Sequence, residues 1–273
     1  YLVAYSSHYE GRLRLPWPCG ACLASGRTRA VFSRDALSAS DLSEQLRRQV
    51  QFLGNPFMEG IAEAQATGPR AGVLLLPGSR LPEARENLAR MLALLEQLPT
   101  ALAGQRFSAA LVRELDSTAV AELALQRGWQ LEPGESSSNR LVLRRGTLRL
   151  EGHWGRFATL LPQAQVVISM AGTASEQAVG LGIPVLQLAG HGPQFTAGFA
   201  EAQRRLLGPA VHCAAGAVDD PATLRASAQL LEQLLTLPEQ ELARYRQEGL
   251  QRLGSSGGTE RMAQAILEAL TQG

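Results

Sequence analysis

The chain has 273 residues, 45% hydrophobic and 19% charged, with a net charge of +1. That is one large or two small globular domains with ample core. It excludes a bilayer-spanning run of roughly 20 apolar residues, shows no signal peptide, and leaves no basic footprint for nucleic acid, because Arg and Asp/Glu are interspersed. All 26 residues of the Lys/Arg class are Arg. The first reading of that bias is genomic composition; the second is an Arg-for-Lys choice for phosphate binding or heat stability. Cys19 and Cys22 form a lone CxxC with loop-like flanks, and no second CxxC supplies zinc ligands. Nothing marks a disulfide scaffold, which fits the cytoplasm.

In chain order, 1–5 reads as a strand, 28–33 as a second, 40–48 as a helix capped by Ser40 or Asp41, and 50–53 as a third strand. Gly54-Asn55-Pro56 is a hinge, or simply a turn. From Gly72 strands and helices alternate. A strand at 72–76 leads through Pro77-Gly78-Ser79-Arg80 into a helix at 82–98. A strand at 107–111 precedes a helix at 117–127. Short strands at 140–143 and 147–150 flank Arg145-Gly146, and a short helix covers 157–162. The β-branched run at 166–168 is a buried strand. It leads through the small-residue turn Met170-Ala171-Gly172-Thr173 into a helix at 174–181 that Gly182 ends. Strands at 184–188 and 211–213 and helices at 221–235, 238–253 and 259–271 close the chain. Residues 135–138 and 254–258 read as flexible links. The alternation predicts a parallel α/β sheet covered on both faces.

Two strand–turn–helix units carry the chemistry. Free amides of Gly172, Thr173 and Ala174 at a helix start suit a diphosphate. The rival reading is plain capping, since Thr173 and Glu176 have capping-box spacing. Gly78, Ser79 and Arg80 repeat the geometry: Gly78 for a tight turn, Ser79 as hydroxyl or N-cap, Arg80 as a fork for phosphate oxygens. Trp154 and Phe157 are candidates to stack on a base, or anchors for a helix start. No His/Cys/carboxylate cluster has metal-ligand spacing, so no metal is expected. No catalytic base stands out; His8, Glu10 and His191 are weak candidates.

Four passages carry a family resemblance: FLGNPFMEG from Phe52, LLPGSRLPEARENL from Leu75, SMAGTASEQAVGLGIPV from Ser169 and GPQFTAGFAEAQRRLLG from Gly192. They resemble the GT-B glycosyltransferases, and within them a lipid-A-disaccharide-synthase-related family. The resemblance implies a GT-B fold of two Rossmann-like domains with the N-terminal, acceptor-side one largely missing. Residues 1–56 would be its remnant, 57–253 the nucleotide-sugar domain, and 254–273 a linker and a helix returning to the first domain. It also implies that Glu176 binds the ribose hydroxyls, that Gln194 binds the donor sugar, and that the loop near Trp154 packs on the base. The synthase motif has His where this chain has Asn55.

The reaction implied is inverting, metal-independent transfer of an N-acetylhexosamine-type sugar from UDP to a lipid-linked acceptor. The UDP-sugar is substrate, and no cofactor is expected. A UDP-sugar 2-epimerase and a non-catalytic UDP-sugar-binding protein are the alternatives. The expected location is the cytoplasm, with a peripheral membrane contact through the segment from Leu13 to Trp17. No nucleic-acid partner is expected.

Overall fold

The computed structural model describes residues 2–3, 13, 15–61, 68–102, 104–132, 134, 136–137, 139–191 and 196–271. The expected sites His8, Glu10 and Gln194 lie outside the described residues.

The amino-terminal part is small. Strands β1 (Leu2–Val3) and β2 (Phe32–Ser33) pair in parallel, and helices α1 (Trp17–Ala24) and α2 (Ala36–Leu46) pack beside them. Leu13, Leu23, Val31, Ala39, Leu42 and Val50 form their core. Three expectations are corrected here. The CxxC lies on a helix rather than a loop, because proline at the first helical turn favours a helix start; its thiols are free. Helix α2 starts earlier than expected, since Asp35 rather than Ser40 or Asp41 caps it by accepting from Ser38 N at 2.7 Å. Residues 50–53 contribute only a bridge, Phe32 to Gln51. Leu13 is buried in this core, while Trp17 is 84% exposed. No helix among the described residues is long and apolar enough to cross a membrane.

The rest is one sheet of eight strands, with order β10-β9-β8-β3-β4-β7-β6-β5. Its strands are β3 (Val73–Leu76), β4 (Phe107–Leu111), β5 (Gln130–Leu131), β6 (Arg140–Arg145), β7 (Leu148–Trp154), β8 (Val166–Ser169), β9 (Val185–Gln187) and β10 (Val211–Cys213). The six from β10 to β7 are parallel; β6 and β5 join antiparallel at one edge. The short connection at Gly146-Thr147 forces that reversal, because two residues can join only antiparallel neighbours. β7 also runs on to Trp154, so Gly152, His153 and Trp154 are strand residues and not a loop.

Helices α3 (Glu83–Leu95), α4 (Ser117–Gln126) and α8 (Pro221–Leu235) cover one face around Leu75, Phe107, Ile168 and Trp129. Helices α6 (Gly172–Gly180), α7 (Ala197–Leu207) and α9 (Glu239–Leu253) cover the other around Leu74, Val167 and Val185. A short helix, α5 (Phe157–Leu160), joins β7 to β8, and α10 (Gly258–Thr271) closes the chain. The strands are apolar on both sides because both faces are covered. The chain leaves β3 toward β4 on one side and enters β8 on the other, so the winding direction reverses between β3 and β8. Ligands of doubly wound sheets bind at that reversal, beyond the carboxyl ends of the strands.

Around Gly54, Asn55 N donates to Leu253 O at 2.8 Å and Arg261 Nε donates to Leu53 O at 2.9 Å. Asn55 is buried, and its side chain accepts from Phe57 N at 3.0 Å to cap the 3-10 turn Pro56–Met58.

Candidate functional site

A cleft of about 480 Å³ opens at the winding reversal. One wall is the turn after β3, with Gly78, Ser79 and Arg80; the other is the start of α6, with Gly172, Thr173 and Ala174. Gly155 and Phe157 come in from the β7–α5 connection. Two distant motifs thus meet because β3 and β8 are neighbours.

Each turn is held from beneath. Gly78 has φ +107°, and a Cβ there would stand 3.3 Å from Met170 O. Glycine lets the two walls approach and takes the left-handed backbone. The buried Asn87 on α3 donates to Pro77 O at 2.8 Å. Ser79 is not the N-cap that its position allows: α3 starts at Glu83 with Pro82 as N-cap. Ser79 and Arg80 are exposed, and Arg80 has no ion-pair partner among the described residues. At the other wall, Ser175 Oγ lies 2.6 Å from Ala171 O and 2.7 Å from Ser169 Oγ. Gln187 donates to Gln203, which donates to Gly172 O at 3.2 Å. These buried hydrogen bonds fix the start of α6, while Gln187 Oε1 is left without a partner among the described residues.

The capping-box reading of Thr173 and Glu176 does not hold. The N-cap is Ala171, and no side chain caps the helix. Thr173 is the second helical residue, too far along to cap. The first amides of α6 are therefore left for a ligand, with the helix dipole favouring an anion.

Other expected residues lie elsewhere. Trp154 turns inward: its indole nitrogen donates to Leu115 O at 2.9 Å and its ring packs on the core, so it does not line the cleft. Phe157 does. Glu176 is beside the cleft rather than in its lining, with its carboxylate 3.0 Å from Arg34 Nη2. Burial raises its pKa, and Arg34 opposes that rise. His191 is exposed and paired with the exposed Asp219 at 2.7 Å, away from the cleft lining.

Glu83, Asn87 and Gln177 line the cleft without having been singled out in the sequence. Gln177 donates to Phe57 O at 2.6 Å, tying α6 to the 3-10 turn. A larger hollow of about 590 Å³ lies at the amino ends of β3, β4 and β7, lined by Arg106, Arg149, Glu151 and His153. It holds neither of the two strand–turn–helix motifs and sits at the end of the sheet opposite to where such folds place ligands.

No protein-family model matches the chain, and no curated protein matches it. Solved structures do. A Listeria monocytogenes protein assigned as a UDP-N-acetylglucosamine 2-epimerase superposes with TM-score 0.54 at 13% identity, over 89% of this chain and 60% of that one. The UDP-GlcNAc 2-epimerase of Neisseria meningitidis, bound to UDP-GlcNAc, superposes with TM-score 0.51 at 16% identity, over 97% of this chain and 68% of that one. The chain therefore spans about two thirds of the length of these neighbours. Identity this low shows the fold alone: a GT-B-like mixed α/β arrangement with a parallel-dominated sheet.

Proposed function

We propose that the cleft is a UDP-sugar site and that the chain is the nucleotide-sugar portion of a glycosyltransferase. The observation behind this reading is the meeting of Gly78, Ser79 and Arg80 with the uncapped start of α6 at the winding reversal. Arg80 and the amides of Gly172 to Ala174 would grip the diphosphate. They would also stabilise the charge that builds on it as the sugar leaves, the step in which electrostatic complementarity counts most. Phe157 would lie against the base. The resemblance in four passages to the lipid-A-disaccharide-synthase-related family supports an N-acetylhexosamine-type donor and a lipid-linked acceptor.

The fold likeness to two epimerases favours a second reading, a UDP-sugar 2-epimerase. A third is a UDP-sugar-binding protein without turnover. Incubation with UDP-N-acetylglucosamine alone, followed by NMR of the sugar, separates them. Epimerised sugar without an acceptor establishes the second reading. UDP release that requires a lipid-linked acceptor establishes the first. Binding without either product leaves the third. Failure of the chain to bind UDP in calorimetry rejects all three.

A further inference from the structure

Glu176 is not where a ligand would find it unaided. It sits on α6 one turn beyond the anion-facing amides, its side chain 15% exposed, and it turns toward the segment before Asn55. There Ser33, Arg34, Asp35 and Ser38 form a buried polar cluster at the end of β2 and the start of α2. Asp35 is fixed by accepting from both the amide and the hydroxyl of Ser38. Arg34 bridges the two acids: Nε is 3.7 Å from Asp35 Oδ2, and Nη2 is 3.0 Å from Glu176 Oε2. Glu176 Oε1 has no partner among the described residues.

We propose that Arg34 is a positioning residue of the nucleotide site, holding Glu176 by one oxygen so that the other faces the ligand's diol. The proposal rests on the UDP-sugar reading of the cleft. It makes the amino-terminal segment a contributor to a site whose lining otherwise lies wholly after Asn55.

The charges around Glu176 support it. Burial pushes its carboxyl up and Asp35 pushes the same way, while Arg34 pulls it down. Among the described residues, the other elements packed on α6 supply no substitute. β8 and β9 carry no charged residue. Glu59, after the 3-10 turn, accepts from Gly257 and Thr259 amides. On α9, Glu239 pairs with Arg246, Glu241 with Arg244 and Glu248 with Arg252. Without Arg34 the acid is left buried beside Asp35 and takes up a proton, which ends its use as a two-site acceptor.

The test is UDP affinity by calorimetry from mildly acidic to mildly alkaline pH, on wild type, Arg34→Met, Arg34→Lys and Glu176→Gln. Wild type is expected to bind with little pH dependence. Arg34→Met is expected to bind roughly tenfold more weakly near neutrality, the scale of one hydrogen bond to a charged group, and to recover as pH rises and Glu176 ionises. Arg34→Lys is expected to restore most of the affinity. Glu176→Gln is expected to be weak at every pH. Arg34→Met binding as tightly as wild type throughout overturns the proposal, as does tighter binding, which would make the pair a barrier. If Arg34→Met does not fold, Arg34→Gln, which removes the charge but keeps a polar side chain, takes its place. A tenfold loss without recovery at high pH overturns the proposal. Wild type that does not bind UDP rejects the cleft reading instead. The Glu176 carboxyl can then be titrated by carbon NMR without ligand. A midpoint higher in the variant without the arginine's charge than in wild type supports the arginine's hold, and an unchanged midpoint overturns it.

Discussion

At the scale of single residues, the site divides into groups that touch the cleft and groups that hold those in place. Arg80 belongs to the first. It is exposed and unpaired among the described residues, so its substitution is not expected to unfold the chain. Arg80→Ala is expected to weaken UDP binding roughly tenfold with an unchanged melting temperature; calorimetry and a thermal melt on one variant check both. Asn87 belongs to the second. Its amide is buried and donates to Pro77 O at 2.8 Å. Asn87→Leu leaves that carbonyl without its partner and is expected to cost about 1–3 kcal/mol by chemical denaturation, with weaker UDP binding as the turn loosens. The place of Arg80 at the cleft was legible in the sequence, since glycine, hydroxyl and arginine after a β run mark a strand-to-helix turn. Asn87 was not: an asparagine ten residues downstream, within a helix, gives no signal until the helix is folded back over the turn. Gln187 and Gln203 were hidden for the same reason. The Trp154 expectation went astray because an aromatic beside a strand end reads alike whether its ring faces a ligand or the core.

At the scale of elements, α6 is held by close backbone contact with α9. A Cβ at Gly249 would stand 2.2 Å from Val179 O and 3.2 Å from Gly180 O. In an isolated helix, alanine would be better than glycine by about 1 kcal/mol. Gly249→Ala is nevertheless expected to destabilise the protein by about 1–3 kcal/mol, since the helices must separate; urea unfolding measures the sign. At the far face, Glu96 gathers Arg127 at 2.9 Å, Arg145 at 2.7 Å and the Trp129 indole at 3.2 Å, joining α3 to α4 and β6. Burial raises the Glu96 carboxyl, but these three donors outweigh it and the net shift is downward from 4.5. A lowered carboxyl stabilises the folded state above its unfolded value and loses that contribution as pH falls through its folded value. Stability is therefore expected to decline below about pH 4.5, and Glu96→Gln to flatten part of that decline. A series of melts between pH 3 and 7, the range over which carboxylates ordinarily titrate, shows whether the slope changes.

At the scale of the whole molecule, the proposed diphosphate site takes its counter-charge from Arg80 and helix amides. UDP binding by the full chain is therefore expected to be unchanged by EDTA; a loss of affinity on chelation would mean that an ion helps hold the diphosphate. The sequence by itself determined the class of fold, because alternation of apolar strands with amphipathic helices leaves a covered parallel sheet as the arrangement that buries both strand faces. It also marked the two strand-to-helix turns, because glycine, small residues and arginine next to strand ends are local signals. Only the tertiary structure decided that those turns share one cleft, since strand order depends on packing between elements some 90 residues apart. It likewise decided that Thr173 does not cap its helix, that Trp154 faces inward, and that Glu176 answers to Arg34. In each case a side chain's role depends on what lies opposite it, and the partner comes from a part of the chain that local spacing does not reach.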